Sequence, residues 1–134
     1  MRVPGRKRRK DAEPPASALL TLDVDVSAAG FGVLVTIAGE LDIATVPRVR
    51  EALSAHDVAG GEAVVVDLGD VTFMDSSGLS LFLTLEGELR ERGGGLAIAC
   101  PEGAARLIFD VTGVDEHLRL YKTRDAAEAA VVAS

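Results

Sequence analysis

Ala63-Val64-Val65-Val66-Asp67-Leu68 is the stretch that most limits what this chain can fold into. It is an almost continuous apolar run of strand length. A strand without polar alternation suits the middle of a sheet that is covered on both faces, the usual condition of parallel strands. Helices must then lie on either side of it, so the flanking segments should alternate between strand and helix.

The flanking sequence carries that alternation. The folded part starts near Leu19, where Leu20, Leu22, Val24 and Val26 alternate with Thr21, Asp23 and Asp25 in the period of a half-buried strand. Gly30-Phe31-Gly32 makes a turn, and Val33-Leu34-Val35-Thr36-Ile37 reads as a hairpin partner. After Gly39-Glu40-Leu41-Asp42 a helix is expected, with Thr45 as N-cap, Pro47 in the first turn and Val46, Val49 and Leu53 as its apolar stripe. Gly60-Gly61 breaks the chain before the central strand. Asp75-Ser76-Ser77 opens a second helix that runs to about Arg92 and ends at Gly93-Gly94-Gly95. Leu96 to Cys100 is a short buried strand, Glu102 to Val111 a helix stopped near Gly113, and Leu118 to Tyr121 a weak last strand. Thr123 caps a final Ala-rich helix. The order ββαβαβαβα predicts one α/β domain, with a mostly parallel mixed sheet of four to five strands, about four helices and right-handed crossovers.

Charge divides the chain in two. Residues 1–13 hold six Lys or Arg against two acids, whereas the remainder holds eight against nineteen. Residues 1–17 read as a disordered basic tail, with Gly5-Arg6-Lys7-Arg8-Arg9-Lys10 and Pro14-Pro15, and residues 18–134 as the domain. The acidic body disfavours direct nucleic-acid binding and favours a partner with a basic surface. The lone Cys100 cannot form an internal disulfide; behind Leu96-Ala97-Ile98-Ala99 it reads as a small buried hydrophobe. No apolar stretch approaches the roughly 18 residues of a membrane span. The basic N-terminus lacks the apolar segment of a secretory signal. A soluble cytoplasmic protein with no membrane partner and no cofactor is expected.

The chemistry concentrates in Asp75-Ser76-Ser77-Gly78-Leu79, where a strand gives way to a helix. Asp75 and Ser76 are good capping residues in their own right. On the helical wheel Leu79, Leu81, Phe82, Leu83, Leu85 and Leu89 share one broad arc, and Ser77, Ser80, Thr84, Gly87 and Glu91 fall opposite. The small residues of the open arc let another protein approach closely. Ser77 lies inside that arc and Ser76 nearer its edge, which makes Ser77 the more accessible hydroxyl. A phosphate there would be favoured by the helix N-terminus and opposed by Asp75 and Asp42, so it should alter surface charge without unfolding the domain.

Enzyme patterns are missing. Neither Ser76 nor Ser77 stands in a Gly-x-Ser-x-Gly elbow. His56 and His117 have no neighbouring second ligand type, and no Cys/His cluster suggests zinc. Gly93-Gly94-Gly95 ends a helix and lacks the Lys-Ser/Thr of a phosphate-binding loop. The paired acids and late lysine of a receiver domain do not occur in the right places.

Gly39-Glu40-Leu41-Asp42, Val65-Val66-Asp67-Leu68 and Phe73-Met74-Asp75-Ser76-Ser77-Gly78-Leu79, at this spacing, resemble the STAS domain of bacterial anti-sigma factor antagonists. The resemblance covers about residues 19 to 133. It implies a non-enzymatic protein that binds an anti-sigma factor serine kinase and so frees a sigma factor for transcription. It further implies that the kinase phosphorylates the serine before the glycine, here Ser77, that the phosphorylated form lets go, and that a phosphatase resets it. The family's acidic residue before the first helix corresponds to Asp42. Asp42, Asp75, Ser76, Ser77, Gly78, Ser80 and Thr84 form the expected partner-binding set. A scaffold or transporter-associated STAS module that binds other proteins is the alternative reading.

Overall fold

A computed structural model describes residues 22–113 and 117–133. The expected basic tail and the strand positions before Leu22 lie outside them. The chain forms β1 (Leu22–Ala29), β2 (Gly32–Leu41), α1 (Val46–Ala55), β3 (Ala63–Met74), α2 (Ser76–Glu91), β4 (Gly95–Ala99), α3 (Ala104–Thr112), β5 (Arg119–Tyr121) and α4 (Arg124–Ala133). The five strands lie side by side in chain order. β1 and β2 make the antiparallel hairpin; β2–β3, β3–β4 and β4–β5 pair in parallel. No helix among the described residues is long and apolar enough to cross a membrane.

β3 holds the centre. Val64, Val65 and Val66 are all fully buried. Val64 and Val66 enter the larger core with Val35, Ile37, Val49, Phe82, Ile98 and Phe109. Val65 points the other way, into a smaller core with Ala97, Ala99, Ala127 and Val131. The small alanines let α4 sit close over that face. Burying a Val, Leu or Phe side chain contributes about 1.5–3 kcal/mol, so the larger core dominates the stability of the fold.

Two strands run further than the apolar pattern indicates. β2 continues through Gly39-Glu40-Leu41, and β3 through Gly69 to Met74, beyond the apolar runs that mark them in the sequence. The reason is a pair of register shifts. Between Thr36 and Ala38, and again between Gly39 and Glu40, β3 carries one residue more than β2. Each bulge breaks the alternation that marks a strand in sequence. Gly39 stands at the second shift with φ 111°, a conformation that disfavours side chains, which explains the glycine of Gly-Glu-Leu-Asp.

Cys100 is fully buried just past the end of β4, its N–H donating to the Tyr121 carbonyl at 2.8 Å. Burial pushes its thiol up from 9.0 to about 11, despite the opposing pull of Arg106. Above pH 9 the unfolded chain loses the thiol proton while the folded chain keeps it. This contribution to stability is therefore present below pH 9 and fades as pH rises through 11. Iodoacetamide at pH 8 is expected to leave Cys100 untouched in the native protein and to modify it fully in denaturant; rapid native labelling would contradict this burial.

Candidate functional site

The parallel pairing of β2 and β3 brings two loops to one end of the sheet. Leu41 and Met74, the last residues of the two strands, are register partners, and the Asp75 N–H donates to the Leu41 carbonyl at 3.2 Å. Asp42 follows one strand and Asp75-Ser76-Ser77 the other. The structure thus joins Asp42 to the helix start although more than thirty residues separate them in sequence.

Asp75 is the N-cap of α2. Its backbone is extended, and its Oδ1 accepts from the Ser77 N–H at 2.8 Å. Gly78 and Leu79 donate to the Asp75 carbonyl at 3.1 and 3.4 Å. Ser76 and Ser77 therefore occupy the first turn, where the helix field favours an anion by about 0.3–1 kcal/mol.

Thr45 stands at the N-cap position of α1, but its side chain makes no cap. Pro47 at the second helical position has no N–H to offer, and Arg48 donates to the Thr45 carbonyl at 2.9 Å. Thr45 Oγ1 turns back instead: it donates to the Glu40 carbonyl at 2.7 Å and accepts from the Asp42 N–H at 3.0 Å. The capping oxygen belongs to Asp42. Its Oδ1 accepts from Ala44 N–H at 2.9 Å and Thr45 N–H at 3.1 Å. Asp42 is thus part of the local fold, beyond the partner role expected of it. Asp42→Ala is expected to lower stability by about 1 kcal/mol, in the range of a lost cap. Asp42→Asn should cost far less, because the amide oxygen can keep both bonds. Urea unfolding of the two variants checks this; equal losses would contradict it.

The face of α2 is rotated from the expected one. Gly78 joins the buried arc with Leu79, Leu81, Phe82, Leu85 and Leu89. A Cβ at Gly78 would come within 2.7 Å of Met74 Cγ and 3.1 Å of Leu41 Cδ2, so glycine is what lets α2 press onto the ends of β2 and β3. With Gly78 inward, Ser77 moves to the flank and is half-buried, while Ser76 is exposed. The expectation that Ser77 is the more accessible hydroxyl is therefore corrected. Ser80 and Thr84 are exposed as expected and continue the line of Ser76 at intervals of four.

Two apolar side chains beside these residues escaped the sequence reading. Ile43, next to Asp42, is 78% exposed, and Phe73, two residues before Asp75, is 46% exposed. The available signal was that Ile43 fits no stripe of α1. Between α1 and α2 lies an open groove of about 290 Å³, lined in part by Arg50, Ser54, Asp57, Thr84 and Glu88. No group of acids, His or Cys among the described residues could hold a metal ion.

A mixed five-stranded sheet with an Asp-capped, serine-bearing helix leaving the end of its middle strand defines a class, and known proteins share it. The family model of the STAS domain matches residues 23–127. The anti-sigma-B factor antagonist of Listeria monocytogenes is 33% identical over 84 residues, 63% of this chain and 74% of that protein. Its Bacillus subtilis counterpart is 31% identical over 97 residues, 72% of this chain and 88% of that one. The crystal structure of an anti-sigma factor antagonist from Mycobacterium paratuberculosis superposes with a TM-score of 0.71 at 33% identity, covering 83% of this chain and 94% of that chain. The chain belongs to the STAS-domain family of anti-sigma factor antagonists, which is non-enzymatic.

Proposed function

We propose that this chain is the unphosphorylated-state binder of an anti-sigma factor that is also a serine kinase. Binding occupies the anti-sigma factor and leaves the sigma factor free. Phosphorylation of Ser77 ends the complex, and a phosphatase restores it. The observation that supports this reading is the pairing of Leu41 with Met74 and the Asp75 N–H to Leu41 carbonyl bond, which set the Asp42 loop and the Ser77 turn side by side at one end of the sheet. Relatives named as anti-sigma-B factor antagonists supply the partner class. The protein works in the cytoplasm, where sigma factors act, and residues 18–134 are the working domain.

The partner surface comprises Asp42, Asp75, Ser76, Ser77, Ser80 and Thr84, with Gly78 beneath them setting the height of the helix. Asp42→Asn separates binding from folding, because it removes the charge and can keep the loop. Ser76 is the competing acceptor, being the more exposed hydroxyl. Incubation with the partner kinase and ATP should add one phosphate, mapped by mass spectrometry to Ser77 and absent from Ser77→Ala. Phosphate confined to Ser76 would overturn the assignment.

A further inference from the structure

The two faces of the sheet are covered unequally. The larger core, with α1, α2 and α3, fills one face, whereas α4 alone lies on the other, over β3, β4 and β5. Among the described residues no helix lies over the β1–β2 half of that second face. Leu22, Val24 and Val26 point into the larger core, so Asp23 and Asp25 point out onto the open half. The register extends this pattern. Asp25 pairs with Thr36 and Thr36 with Asp67; Asp23 pairs with Ala38 and Ala38 with Asp70. Four carboxylates therefore share one face across three strands.

The covered side already provides one of them with a cation: Arg124 of α4 reaches Asp67 at 3.8 Å. Asp23, Asp25 and Asp70 are exposed and have no ion pair among the described residues. Asp is a poor strand residue, and the carboxylates of β1 and β3 face the same side with only Thr36 and Ala38 of β2 between them. On β1 the charges have a simple use, since an edge strand needs protection from pairing with other chains. That does not account for Asp70, which stands on the middle strand.

We propose that this open acidic face is the docking surface for the chain's own basic segment, Arg6-Lys7-Arg8-Arg9-Lys10. Those residues lie outside the described part of the structure. Five cations stand against three uncompensated carboxylates. Reach is sufficient: eleven residues separate Lys10 from Leu22, and the twelve steps between them span up to about 40 Å. The three strands are only about 10 Å wide. Leu22 pairs with Gly39, so the described chain begins on the sheet directly beside Asp23. Single exposed ion pairs are weak and screened by salt, so the contact is a collective one that salt releases.

A nitroxide attached to Gly5→Cys in the full chain reports on this contact through paramagnetic broadening of backbone amide signals. At low salt the amides of Asp23, Asp25, Thr36, Ala38 and Asp70 should broaden most, and 0.5 M salt should restore them. The triple variant Asp23→Asn, Asp25→Asn, Asp70→Asn should lose the broadening; its unchanged remaining spectrum would show that it still folds. Broadening centred elsewhere, absent at low salt, or persisting in the triple variant would overturn the proposal.

Discussion

Ser77→Glu is expected to bind the anti-sigma factor about a hundredfold more weakly than Ser77→Ala, with both variants folded. A hundredfold is about 2.7 kcal/mol. The new carboxylate would sit at a half-buried position whose N–H is already held by Asp75 Oδ1 at 2.8 Å. Within the free protein the effect is small, because the helix field favours an anion there by about 0.3–1 kcal/mol. Against a partner the balance reverses. A charge buried beside Asp75 without a counter-ion costs about 2–5 kcal/mol at an interface. The interface term outweighs the helix term, so the proposed modification would act on binding and leave folding alone. Phosphate carries more charge than Glu, so phosphorylated Ser77 should bind still more weakly. Titration calorimetry with the purified partner measures the difference. Equal affinities of Ser77→Glu and Ser77→Ala, with unchanged circular dichroism, would sink the switch.

Phe82→Ala is expected to remove about 3–5 kcal/mol of stability. Phe82 is fully buried on α2 and is among the largest side chains of the main core. Domains of this kind have about 5–15 kcal/mol in total, so the loss is a large share and should lower the melting temperature by more than about 10 °C. Its place one turn beyond Gly78 ties it to function. Loosening α2 there also loosens the turn that holds Ser77, and partner binding should weaken when the variant is assayed near its transition. A shift of only a few degrees in calorimetry would mean that the surrounding side chains collapse into the space.

The comparison of expectation with structure separates what pattern reveals from what it hides. The run at Val64-Val65-Val66 led to the central strand, and the order of strands and helices followed from it. Gly93-Gly94-Gly95 ended α2 as expected, and the Thr123 hydroxyl accepts the Ala126 N–H at 3.1 Å as a cap should. The extension of β3 to Met74 was hidden because two bulges erase the alternation. The capping role of Asp42 was hidden because Pro47 removes the usual partner of Thr45, a consequence visible only in three dimensions. The orientation of α2 was misjudged because Gly78 is buried and yet carries no side chain to mark it. The adjacency of the Asp42 loop to the Ser77 turn comes from the β2–β3 register at Leu41 and Met74; nothing local in either segment encodes it.

That adjacency also sets when the proposed switch could operate. The β1–β2 hairpin needs only neighbouring residues and can close within microseconds. Leu41 and Met74 lie on strands joined through the whole of α1, and their parallel pairing must wait for contacts distant along the chain. A newly made chain thus displays the Asp42 loop before it has any framed Ser77 turn beside it. Only the completed domain holds both together, so under the proposed switch an unfinished copy offers a kinase no framed Ser77 turn.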